Sequence, residues 1–77
     1  MTAAIDTAKL DIFGDDLTVE WNGGVWIAPT TGSQHATARD AMRIELHRYL
    51  VASGEDVDYD DNEHLTDGWE EKLDDID

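Results

Sequence analysis

The stretch Leu17-Thr18-Val19-Glu20-Trp21-Asn22-Gly23-Gly24-Val25-Trp26-Ile27-Ala28 decides the fold. Leu17, Val19 and Trp21 alternate with Thr18 and Glu20, the period of a strand with one face buried. Asn22-Gly23-Gly24 supplies residues that accept positive φ, as a tight hairpin turn demands. Val25–Ala28 runs back as the second strand, and Pro29 stops it because proline has no N–H for a ladder. Trp21 and Trp26 flank the turn, and alternation is expected to send one into the core and leave the other part-exposed. Thr30-Thr31-Gly32 reads as a further turn and Ser33–Ala36 as a short third strand.

Downstream, Thr37 with Asp40 matches a capping box in which Asp replaces the usual Glu or Gln. The helix it opens is expected over 38–53, ending at Gly54, a residue suited to the left-handed turn after a helix. Ala38, Ala41, Met42, Leu46 and Tyr49 share one face of that helix, which should cover the sheet. Arg39, Arg43 and His47 step along another face, and Ile44 with Val51 makes a smaller apolar pair for the C-terminal segment to cover. Upstream, residues 3–13 fit two patterns. Ile5, Ala8, Ile12 and Phe13 suit a helical face with Thr2 as its cap, whereas Leu10 and Ile12 suit a strand. The short helix is taken as the expectation, with Gly14-Asp15-Asp16 as the turn after it.

Beyond Gly54, Leu65, Trp69, Leu73 and Ile76 recur at the spacing of an amphipathic helix, with Thr66 as its N-cap and Asp67, Glu70 and Glu71 at its positive end. The whole is therefore expected to be one α+β domain spanning 1–77. It consists of a short antiparallel sheet, one main helix packed on it and an acidic C-terminal helix docked through Trp69.

Charge separates the chain into two parts. Nineteen acids oppose five bases, a net of −14. Residues 1–54 hold seven acids and four bases, a net of −3, and residues 55–77 hold twelve acids and one base, a net of −11. A chain so charged is repelled by nucleic acid and by anionic membranes, and it attracts basic partners. Adaptation to high internal salt is the alternative source of such acidity, but it should coat the whole surface evenly. The chain has no cysteine, no signal-peptide pattern and no apolar run long enough to cross a bilayer, so a cytoplasmic monomer is expected.

Catalytic constellations are sparse. Ser33 and His35 point to one face of a strand, but no third group is evident to orient the histidine, and no nucleophile elbow or phosphate loop is present. His35, His47 and His64 lack the spacing of a zinc site, and each is assigned a structural role. Asp56-Val57-Asp58-Tyr59-Asp60 begins like a calcium-binding helix-loop-helix. Its sixth position is Asp61 where glycine is needed, its eighth is Glu63 where an apolar residue is usual, and its twelfth is Asp67 where a longer glutamate is needed. No enzyme activity, metal or cofactor is expected.

The charge itself is the candidate site. In an extended stretch Asp56, Asp58 and Asp60 would fall on one side at roughly 6.6 Å intervals. On a helix Asp67, Glu70, Glu71, Asp74 and Asp75 would lie about 5–6 Å from their neighbours. With Asp61, these nine carboxylates are expected to form the partner-binding surface, and Arg39, Arg43 and Arg48 to hold acidic side chains against the body. In size, charge and hairpin-plus-helix architecture the chain resembles small acidic phage-type DNA-mimic inhibitors, including anti-CRISPR proteins. That resemblance implies blocking of a basic DNA-binding groove, such as that of a CRISPR effector complex in the host cytoplasm, without direct contact to nucleic acid. It rests on no diagnostic motif, so it assigns no residue a role. The run Gly24–Pro29 followed by Thr37–Ala41 also resembles the sheet-plus-helix domains of HicB antitoxins and double-stranded-RNA-binding proteins, but the basic patch of the latter is missing.

Overall fold

The computed structural model describes residues 7–76. The chain forms β1 (Thr7–Ile12), β2 (Asp15–Asn22), β3 (Val25–Ala28), β4 (Ser33–His35), α1 (Ala38–Ala52) and a short 3-10 helix (Trp69–Asp75). The strands make one antiparallel meander in the order β1-β2-β3-β4. This is the expected α+β arrangement, with one strand more.

That strand corrects the helix expected over residues 3–13. Residues 3–6 lie outside the described residues, but Thr7–Ile12 pairs along β2 from Thr7↔Glu20 to Ile12↔Asp15. Ala8, Leu10 and Ile12 are buried while Lys9 and Asp11 face water, which is period two rather than 3.6. Two-stranded ribbons are marginal alone, and β2 offers β1 a full ladder. Pairing therefore outweighs a helical face of only four apolar positions.

The core face of the sheet carries Ala8, Leu10 and Ile12 from β1, Val19 from β2 and Ala28 from β3, all buried. Trp21 and Trp26 share that face. They are direct cross-strand partners, their ring centroids 5.5 Å apart, because the two-residue Gly23-Gly24 loop places them equidistant from the turn. One is covered and the other part-exposed, as expected, but the cause is position along one shared face and not alternation between two faces. Trp26 packs against the core, and Trp21, nearer the sheet's end, stays 39 % exposed.

α1 begins where the capping pattern placed it. Thr37 has extended backbone, and its Oγ1 accepts from the Asp40 N–H at 3.0 Å. At the far end Gly54 takes φ +87°, the Gly54 N–H donates to the Val51 carbonyl, and the Glu55 N–H donates to that of Leu50 at 2.8 Å. This closes the helix with a Schellman turn. Thr37→Ala is expected to cost about 1 kcal/mol in urea denaturation, the usual value of a lost N-cap.

Ala41, Met42, Leu46 and Leu50 bury fully against β2, β3 and β4, with Ala38 and Tyr49 at the margin. Glu45 is buried among them. Its carboxylate accepts from the Thr30 N–H at 3.0 Å and the Thr30 hydroxyl at 2.6 Å, tying the β3–β4 turn to the helix. The face of β1 is covered differently. The C-terminal segment packs against both α1 and β1, adding Val57, Leu65 and Leu73 to the core. It crosses α1 beside Ile44, which is half-buried, and leaves Val51 53 % exposed. Only one of that apolar pair is covered. Among the described residues no helix is long and apolar enough to cross a membrane.

Candidate partner-binding surface

The segment after Gly54 is ordered in two steps. Residues 58–66 form a small closed loop. Thr66 donates its N–H to the Asp58 carbonyl at 3.0 Å, Asp60 donates to the His64 carbonyl at 2.8 Å, and Tyr59 bridges to Leu65. Asp60 Oδ1 accepts from the N–H groups of Asn62 (2.8 Å) and His64 (3.0 Å), so this carboxylate shapes its own turn. Asp67 and Gly68 then both adopt positive φ, at +61° and +82°. Two left-handed residues in succession interrupt any α-helix, so Thr66 does not cap one. Its hydroxyl instead bonds the backbone of Asp58.

Trp69–Asp75 forms a 3-10 helix, not the expected α-helix. Seven residues are too few for an isolated α-helix to hold itself, and the like charges Glu70 with Asp74 and Glu71 with Asp75 would repel at i,i+4. The tighter helix has three residues per turn, so side chains at i and i+3 eclipse. Glu70 therefore shares a face with Leu73, which is buried.

The consequence corrects one expectation about the site. Glu70 does not face outward. Its side chain is 13 % exposed and sits between two arginines of α1. Oε2 accepts from Arg39 Nε at 3.2 Å and Arg43 Nη2 at 2.7 Å, and Oε1 accepts from Arg43 Nε at 2.9 Å and the Leu65 N–H at 2.9 Å. Arg39 also donates to the Glu70 carbonyl at 3.1 Å and to Asp74 Oδ1 at 2.5 Å. Arg43 donates to Asp40 Oδ1 at 2.7 Å.

Burial pushes the Glu70 carboxyl up. The Arg43 hydrogen bonds, the Leu65 N–H and the arginine charges outweigh it and hold the group at about 2. Arg43 is raised above its ordinary value by its bonds to Glu70, against the opposing effect of burial. Asp40 is lowered by its bond to Arg43. The expected role of Arg39 and Arg43, holding the acidic segment to the body, is what the structure shows. Arg48 is exposed and meets no carboxylate among the described residues.

The nine expected carboxylates thus divide by role. Asp56 and Asp58 face water on either side of buried Val57, as an extended stretch requires. Asp61, Asp67, Glu71 and Asp75 are exposed and take no side-chain hydrogen bond among the described residues. Asp74 is bonded to Arg39 yet 67 % exposed. Asp60 holds its loop, and Glu70 is internal.

Between α1 and the 58–66 loop lies an open cleft of about 470 Å³, bounded by His35 and Asp40, by Arg43 and Ile44, and by Tyr59 and His64. His47 packs against Tyr59, their ring centroids 4.7 Å apart and their planes tilted by 36°. Ser33 Oγ lies 2.8 Å from His35 Nε2 and 2.7 Å from Thr31 Oγ1, a contact that strand adjacency alone did not guarantee. Among the described residues no carboxylate hydrogen-bonds His35, and no three His, Asp or Glu side chains converge on a metal position. After the calcium-like loop the chain turns left-handed at Asp67 and Gly68 and continues as a 3-10 helix, not as the α-helix of that motif. Comparison with protein-family models, curated proteins and solved structures finds no match.

Proposed function

We propose that this chain is a non-enzymatic inhibitor that presents its acidic C-terminal segment to the nucleic-acid-binding groove of a basic protein, as a DNA mimic. A CRISPR effector subunit is the first partner to try, and the protein acts as a monomer in the cytoplasm of the cell that houses that partner. One observation carries the reading. Exposed carboxylates are held on a segment that is fixed to the body by the Arg39–Glu70–Arg43 clamp and by buried Val57, Leu65 and Leu73. A solvated tail needs no such anchoring. A recognition surface gains from it, because order present before binding is not lost on association. Complementary charge then accelerates encounter and excludes nucleic acid from the same groove.

The test is competition. Binding to a CRISPR surveillance complex should be displaced by its target duplex and should weaken as salt rises. A variant carrying Asp56→Asn, Asp58→Asn, Asp61→Asn, Asp67→Asn, Glu71→Gln and Asp75→Asn leaves Glu70, Asp60 and Asp74 in place, so the fold is retained. It should lose on the order of 100-fold in affinity, since steering and complementarity are removed together. Undiminished binding by a folded variant of this kind would overturn the reading.

A further inference from the structure

Asn22 ends β2 and Gly23 opens the loop to β3, an order of residues that serves the turn and also permits a reaction. A backbone nitrogen that follows asparagine can attack the side-chain amide carbon, and glycine obstructs that approach least because it has no Cβ. At Gly23 the nitrogen is available. The residue has φ +61°, its N–H has no hydrogen-bond partner among the described residues, and nothing lies within 4 Å of where a Cβ would stand. Asn22 itself is exposed.

The chain's other asparagine, Asn62, supplies the contrast. It is also exposed, but the nitrogen that follows it belongs to Glu63 and donates to the Asp60 carbonyl at 2.9 Å. That bond must break before the nitrogen can attack, and the Glu63 side chain crowds the approach. Asn22 has one restraint of its own. As a strand residue it is extended, which holds the Gly23 nitrogen away from its side-chain carbon, so ring closure waits on opening of the Asn22↔Val25 pair. That pair is the last of three between β2 and β3, at a sheet end where opening costs least.

We propose that Asn22 is a site of spontaneous deamidation, and that its isoaspartate product disrupts the Trp21–Trp26 pair. The Gly23 nitrogen bonds to Asn22 Cγ, the bond from Cγ to the amide nitrogen breaks, and ammonia leaves a cyclic imide. Water then opens the ring at either carbonyl. Attack at Cγ gives aspartate with the original backbone. Attack at the backbone carbonyl gives isoaspartate, in which the chain runs through Cβ and Cγ and is one methylene longer. Both products add a negative charge, but only isoaspartate alters the hairpin. Trp21 and Trp26 are partners because they stand equidistant from the turn, and a methylene added on the β2 side ends that symmetry.

Ageing the folded chain in warm, mildly alkaline buffer, then digesting it in acid and weighing the peptides, reads both asparagines in one sample. The Asn22 peptide should gain one mass unit about tenfold faster than the Asn62 peptide, since only its attacking nitrogen is unengaged and unobstructed. Isomerisation at Asp67-Gly68 leaves the mass unchanged and does not enter the count. Equal rates, or a faster Asn62, overturn the site. The isoaspartate form, separated by chromatography, is then compared with Asn22→Asp, which carries the same charge on an unaltered backbone. Exciton-coupled circular dichroism from the paired indoles should persist in Asn22→Asp and be lost in the isoaspartate form, whose melting temperature should also be the lower. Identical spectra overturn the effect on the tryptophan pair, and neither result bears on the acidic surface.

Discussion

Glu70→Ala is expected to destabilise the protein by about 3 kcal/mol, although it removes only one of nineteen acids from a chain of net charge −14. Removing a carboxylate from so acidic a molecule ought to relieve repulsion, and at Asp67 or Glu71 it should do so slightly. At Glu70 it strands a guanidinium. The Arg43 side chain is 11 % exposed and would keep only Asp40, and the Leu65 N–H would lose its acceptor. A buried charge deprived of its partner costs more than the pair contributed. Urea denaturation at neutral pH, with Glu71→Ala as the exposed comparison, measures the difference directly. Equal effects at the two positions would show that the clamp does not hold the segment.

The same carboxylate has a pH signature. Its folded value, about 2, lies below its ordinary 4.5, so its contribution is complete above about pH 4.5 and is lost as pH falls towards 2. Allowing for solvent screening of a site near the surface, about 1–2 kcal/mol should disappear across that window. Glu70→Gln has no such proton to take up, so its stability curve should be flatter there than that of the wild type.

Leu73→Ala should cost about 2–4 kcal/mol, the range for a leucine removed from a packed site that only partly collapses. Leu73 is 2 % exposed and lies in the segment that covers β1. Loosening it exposes surface that the helix does not protect. For a domain of this size that is a large share of the total stability, and a lowered urea midpoint should report it. The effect also bears on function. Every surface carboxylate survives the substitution, so if binding needs a prearranged surface, Leu73→Ala should weaken it through lost order alone. Full affinity in a destabilised variant would mean that charge is sufficient and its arrangement is not.

The two substitutions mark a boundary in how the chain encodes itself. Gly23-Gly24 set the hairpin, and a two-residue loop makes Trp21 and Trp26 partners by simple symmetry, a reading that alternation along each strand taken singly does not deliver. Thr37 and Gly54 bounded α1 through hydrogen bonds that span no more than five residues. Leu65, Trp69, Leu73 and Ile76 were identifiable as the anchors of the last segment, because burying apolar surface rewards them in any helical form.

What tertiary structure decided was everything that depended on a distant partner. Thr7–Ile12 is a strand because β2 lies ready to pair with it, where local pattern allowed a helix as well. The last helix is 3-10 because Asp67 and Gly68 break the chain before it, and because its charges find their relief outside it. That relief comes from Arg39 and Arg43, which stand 31 and 27 residues away from Glu70. By sequence alone the concentration of acid after Gly54 was plain, and so was its need for an anchor. Which carboxylate would turn inward to provide it was not, because acids of one chemistry differ only in what surrounds them. In a low-dielectric contact the surroundings set the energy.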